Sequence, residues 1–259
     1  MTEQDRIANA NGAASCSAAP TSVRAFEGFF APKTAANSAE AVSLFKRFQL
    51  EPPSWDEFQR KIAQLEKPEA DTTNVPRQVK VVYLVRHAEG IHNATANEVG
   101  PELWESELAF QEKYLDADLT PFGINDAQSK GPGSVKAELE KGMPPIERVI
   151  VSPLSRAIQT AKNFFAKDQA FGLRAEAQVS GRGLFSHQGR QRPATHRETD
   201  AEMQARAKEF LLELFREIPE QNVAVVTHSG FMESICAVVL NIRIHPANCE
   251  VIPLVLEAL

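Results

Sequence analysis

Little in this sequence is cysteine, and nothing in it is a long apolar run. The three cysteines, Cys16, Cys236 and Cys249, have no metal-ligand spacing and read as reduced thiols of an intracellular protein. No apolar stretch reaches the length of a membrane span, so no membrane partner is expected. The first twenty residues are small and polar, with acids early and no hydrophobic core. That composition excludes a secretory signal and predicts a disordered start. Positive charge is not in excess either: 28 Lys and Arg stand against 34 Asp and Glu, a net charge of −6. This excludes general nucleic-acid binding and makes any cluster of cations a local site. The expected location is cytoplasmic, with a nuclear one also open.

With 43% hydrophobic residues over 259 positions, the chain can bury a sizeable core. The reading is an N-terminal extension over residues 1–75, with a disordered start and then a helical arm, followed by a main domain over 76–259. Val42, Phe45 and Phe48 fall at helical spacing within residues 38–48, and Ser54 is a fitting cap for a second helix through Trp55, Phe58, Ile62 and Leu65. The main domain opens on VKVVYLVRHAEGIHN, residues 79–93. Its β-branched run is that of a strand buried on both faces. Two further short runs, RVIV at 148–151 and VAVVT at 223–227, have the same character. Between them lie helical patterns. One is started by Thr120-Pro121 and runs to Glu140, one is started by Ser152-Pro153, and others lie near 202–218 and 231–240. Glu250 to Glu257 reads as a last strand, placed at an edge by Pro253. This alternation predicts an α/β fold, a three-layer α/β/α sandwich with a mostly parallel sheet and helices on both faces.

Each of the three buried runs ends in a polar residue that is costly there unless it works: Arg86-His87, then Arg156 just past the second run, then His228. In open α/β sheets ligands bind at the carboxyl ends of the strands. Two arginines and two histidines converging there suit a phosphate dianion, because guanidinium forks match its oxygens. A neutral imidazole among them could take the phosphoryl group covalently. No carboxylate triad suited to magnesium is evident, so the arginines would neutralise the charge and neither metal nor cofactor is expected. The expected partner is a small phosphorylated substrate. Oligomeric state is left open, and His92, His187, His196 and His245 are read as ordinary surface or loop residues. Trp104 and Tyr114 suit either a pocket lining or core packing.

The motif Arg86-His87-Ala88-Glu89 resembles the hallmark of the histidine phosphatase superfamily, also called phosphoglycerate mutase-like. The resemblance extends to Asn93, to the element Leu119-Thr120 with Gly123, to the run from Ser152 through Arg156 to Thr160, and to Thr227-His228-Ser229-Gly230. It covers roughly residues 75–257, and its wording further resembles fungal phosphomutase-like proteins of this superfamily. The resemblance implies His87 as the phospho-accepting nucleophile. It implies Arg86 and Arg156 as phosphate ligands, His228 as completing the pocket, Asn93 as a further contact and Glu89 as an orienting residue. The family also has an acidic proton donor between the second arginine and the second histidine. Here Gln178 falls at its place, and Glu176, two residues earlier, is the candidate. The implied activity is a metal-independent phosphatase. A mutase that returns the phosphoryl group to its product is one alternative; a phosphate-binding pseudo-enzyme is another.

Overall fold

The run VKVVYLVR does what its composition demands. The computed structural model, which describes residues 20–33, 43–67, 77–165 and 198–259, buries seven of its eight residues. The strands of the described residues are, in chain order, β1 (Val23–Ala25), β2 (Phe30–Pro32), β3 (Phe48–Leu50), β4 (Val79–Arg86), β5 (Arg148–Val151), β6 (Asn222–Thr227) and β7 (Val251–Ala258). The main sheet has the order β1-β7-β4-β6-β5. Strands β4, β6 and β5 are mutually parallel. Strand β7 runs against both β4 and β1. Four strands therefore share a direction and one is reversed, the mostly parallel sheet of an α/β fold. Burial of β4 and β6 along their lengths means both faces are covered.

The covering helices follow the expected starts. Helix α1 (Trp55–Leu65) is capped by Ser54, whose side chain accepts from the Glu57 N–H. Three short helices fill the long connection after β4: α2 (Ile91–Val99), α3 (Pro101–Ser106) and α4 (Glu112–Leu115). Helix α5 (Pro121–Glu140) begins at Thr120-Pro121 and ends at Glu140, as its sequence predicts. It packs on α6 (Ser155–Phe164), while α7 (Asp200–Glu217) packs on α8 (Ser229–Leu240). The apolar face of α7, Phe210, Leu211, Leu214 and Phe215, is buried. No helix among the described residues is long and apolar enough to cross a membrane.

The N-terminal segment differs from its expectation. The described part of residues 38–48 is not helical: Phe48 begins β3, which pairs antiparallel with β2 at Pro32. Aromatic packing explains the choice. Phe29 and Trp55 both meet Phe58 edge-on, at 5.2 and 5.0 Å between centroids, and Phe45 stacks on Tyr83 of β4 at 6.0 Å. Strand β1 adds to the main sheet itself, so this segment shares its sheet and its core. Strand β7 is not an edge strand, being flanked by β4 and β1. Its proline is accommodated locally. The Arg86 N–H donates to the Glu250 carbonyl and the Ala258 N–H to the Gln78 carbonyl, so the bonded positions of β4 alternate and Pro253, opposite Tyr83, falls at a non-bonded one with its nitrogen away from β4. On that side β1 reaches only residues 256–258.

Candidate active site

Register delivers the side chains. Arg86 lies level with Thr227 in the parallel pair β4–β6, so His87 and His228 are the next residues at neighbouring strand ends. Their rings come to 5.1 Å between centroids, inclined at 60°. Three contacts fix His87, which is buried. Its N–H donates to the Thr227 carbonyl at 2.9 Å, its carbonyl accepts from Asn248 Nδ2 at 2.8 Å, and its Nδ1 lies 2.7 Å from the Ala88 carbonyl. A carbonyl only accepts, so Nδ1 carries the proton and Nε2 keeps its lone pair. The Ala88 N–H donates to Thr160 Oγ1 at 2.9 Å, and that hydroxyl donates to the Arg156 carbonyl at 2.7 Å. The end of β4 is thereby tied to the first turn of α6.

Both arginines are held from behind and keep part of the fork free. Arg86 donates through one terminal nitrogen to the Pro246 carbonyl at 2.6 Å, and Arg156 to the Leu115 carbonyl at 3.2 Å. The Nε of each is buried without a hydrogen-bond partner. The loop behind Arg86 is braced in turn. The Cys249 N–H donates to the Arg86 carbonyl at 3.1 Å, and buried Glu250 accepts from Ala247 N–H at 2.6 Å. Arg47, from the N-terminal segment, donates through a terminal nitrogen to one Glu250 oxygen at 2.8 Å, brings its Nε within 2.6 Å of the other as an ion pair, and also donates to the His245 carbonyl.

Electrostatics follow from this geometry. Burial, reinforced by His228, Arg156 and His92, pushes His87 down to about 2. Burial together with Arg156 and other cationic neighbours pushes His228 down to about 3. Both imidazoles are therefore neutral at neutral pH. Ser152 Oγ lies 2.8 Å from His228 Nε2. This corrects the expected cap: with its hydroxyl engaged by His228, Ser152 does not start α6. The helix begins at Ser155 instead, whose N–H donates to Asp116 Oδ1 at 2.6 Å. Asp116, from the preceding connection, does the capping.

The other candidates divide. Glu89 accepts from Thr120 Oγ1 at 2.8 Å, and its carbonyl accepts from Thr120 N–H at 2.9 Å, so it joins the β4 loop to the start of α5. Asn93 accepts from Gly90 N–H through Oδ1 at 3.1 Å, a cap at the start of α2. Glu176 and Gln178 lie outside the described residues, as do His187 and His196. Trp104 and Tyr114 pack edge-on against each other at 5.1 Å, outside the core cluster. His245 is exposed, 2.8 Å from a Glu233 oxygen. His92 corrects its expectation. Its ring lies 5.4 Å from that of His87, and burial with Arg156 and Arg86 pushes it down to about 4. The missed signal was its place on the first turn of a helix that starts immediately after the His87 loop.

A family model described as the histidine phosphatase superfamily (branch 1) matches residues 173–255. A phosphoglycerate mutase-like protein of Arabidopsis thaliana is 39% identical over 90 residues, covering 35% of this chain and 30% of that protein's length. Phosphoglycerate mutase-like protein 1 of the same organism is 29% identical over 233 residues, covering 66% of this chain and 79% of the relative. Phosphomutase-like protein 3 of Candida albicans is 25% identical over 215 residues, covering 71% and 67%.

Proposed function

We propose that this chain, which belongs to the histidine phosphatase superfamily, moves the phosphoryl group of a small phosphomonoester first to His87 and then to water. The observation that carries the reading is the meeting of a neutral, tautomer-fixed imidazole with two guanidinium groups that keep a free Nε. In this reading Arg86 and Arg156 hold the nonbridging oxygens and oppose the charge of the transferring group. His87 Nε2 attacks phosphorus in line. The P–N bond forms as the ester P–O bond breaks, and the positive charge developing on the ring is met by the Ala88 carbonyl at Nδ1. His228, oriented by Ser152, adds a contact to the phosphoryl oxygens, and the amide of Asn93 is a further candidate contact. The leaving alkoxide needs a proton, for which Glu176 is proposed as donor. The same carboxylate then takes a proton from the water that cleaves the P–N bond.

A panel of aryl and alkyl phosphomonoesters assayed with wild type, His87→Ala and Glu176→Gln tests this. His87→Ala should lose at least about a thousandfold in kcat. Glu176→Gln should lose about a hundredfold to ten-thousandfold on alkyl phosphates and less on aryl ones, whose leaving groups need little protonation. A His87→Ala variant with full activity refutes the reading. The relatives' names motivate one second reading, a mutase that passes the phosphoryl group back to its product. Isomerisation of a phosphoglycerate that depends on a bisphosphate primer would select it.

A further inference from the structure

His92 has no place in the roles assigned so far, yet it is built into the same pocket. It is the second residue of α2, and its ring stands 5.4 Å from that of His87, inclined at 47°. Its Nδ1 is buried without a hydrogen-bond partner. The two cations that lower its proton affinity are Arg156 and Arg86, the same pair assigned to the phosphate. His92 in turn lowers the proton affinity of His87 and His228. Three imidazoles and two guanidinium groups thus surround one spot.

Gly90 makes the placement possible. Its φ of −95° is open to any residue, so backbone freedom does not call for glycine there. Space does: a Cβ at Gly90 would lie 2.7 Å from His92 Nδ1 and 2.8 Å from Cε1. The imidazole folds back over the bare backbone of the loop that carries His87.

We propose that His92 is a substrate-contacting residue, donating an imidazole N–H to the bound phosphoryl group beside Arg86 and Arg156. A neutral imidazole carries one N–H donor and one acceptor nitrogen, and a dianion selects the tautomer that turns the donor toward it. The contact is charge-assisted because the acceptor is ionised. This inference rests on the phosphoryl-transfer reading above and adds a specificity determinant to it. An imidazole gives one directional donor in a crowded pocket, which favours compact phosphomonoesters over diesters, whose extra substituent replaces an accepting oxygen.

Two substitutions separate the donor from the ring. His92→Phe keeps a ring over Gly90 and removes the N–H; His92→Gln keeps an N–H and removes the ring. Inhibition by inorganic phosphate and by orthovanadate, kcat and KM for an aryl phosphate, and thermal melting are measured for both beside wild type. His92→Phe should weaken phosphate and vanadate binding by about tenfold to a hundredfold, with melting near that of wild type. His92→Gln should stay within about threefold of wild type, since a side-chain amide can replace the donor. Unchanged anion binding in His92→Phe overturns the inference, and so does equal loss in both variants, which would mark the ring as packing only. If wild type itself neither binds these anions nor turns over any phosphomonoester, the phosphoryl-transfer reading fails and takes this inference with it.

Discussion

Removing Arg47 should damage the site through a partner, Glu250, that lies 203 residues further along the chain. Its guanidinium hydrogen-bonds one oxygen of Glu250 and lies in ion-pair contact with the other; the Glu250 side chain has no exposure, while that of Arg47 is 42% exposed. Cutting one partner from a fully buried ion pair costs about 3 to 5 kcal/mol. Water reaches the arginine side here, and Ala247 N–H still serves one Glu250 oxygen, so Arg47→Ala should cost less, about 1 to 3 kcal/mol. For a chain of this length about 2 kcal/mol lowers the melting temperature by roughly 4 to 8 °C. Activity should fall with it. The loop that Glu250 anchors supplies the Pro246 carbonyl to Arg86 and the Asn248 amide to the His87 carbonyl. Small misplacements of such groups are costly, and kcat/KM should drop by about tenfold. Arg47→Lys should recover part of both, because an ammonium keeps the charge without the two-pronged grip. The assay is thermal melting with steady-state kinetics for Arg47→Ala, Glu250→Gln and the double variant. The double variant should lose less than the sum of the singles, because each alone already breaks the pair. Melting within about 1 °C of wild type with unchanged kcat/KM, or strictly additive losses, refutes the reasoning.

Gly123 is a second test. A Cβ there would lie 2.1 Å from the Glu89 carbonyl oxygen, a backbone atom that cannot swing aside. Gly123→Ala should destabilise by about 1 to 3 kcal/mol or more and displace the loop after His87, lowering kcat/KM; a fully active, equally stable variant would contradict this. Stability should also fall in acid. The histidines at 87, 228 and 92 resist protonation until about pH 2, 3 and 4, whereas an unfolded chain protonates them below 6.5. Through that window the unfolded state binds more protons, so stability rises with pH and is lost as pH falls from 6.5. Each histidine contributes up to about 1.4 kcal/mol per pH unit. Thermal melts from pH 7 to 5 check this, and a constant melting temperature would refute it.

What was legible in the sequence is what local composition controls. The buried runs of β4, β5 and β6 announce themselves, and the polar residues that end them lie where parallel neighbours bring them together. Thr120-Pro121 starts α5 because its cap is satisfied three residues away, at Gly123 N–H. What was not legible depends on distant partners. Ser152 has the look of a cap, but its hydroxyl meets His228, 76 residues on. Arg47 meets Glu250 across 203 residues. Strands β1, β2 and β3 have three residues each, too few to show an alternating pattern. His92 read as a loop residue because nothing in a string of letters says that its ring turns back over Gly90.

The measurement closest to the central claim is capture of the phosphorylated enzyme. Rapid quenching of the enzyme with a phosphomonoester, followed by intact-mass analysis and peptide mapping, should find an acid-labile phosphoryl group on His87 that disappears in His87→Ala. Steady hydrolysis with no phosphohistidine at any time after mixing, or the label on another residue, would contradict the account.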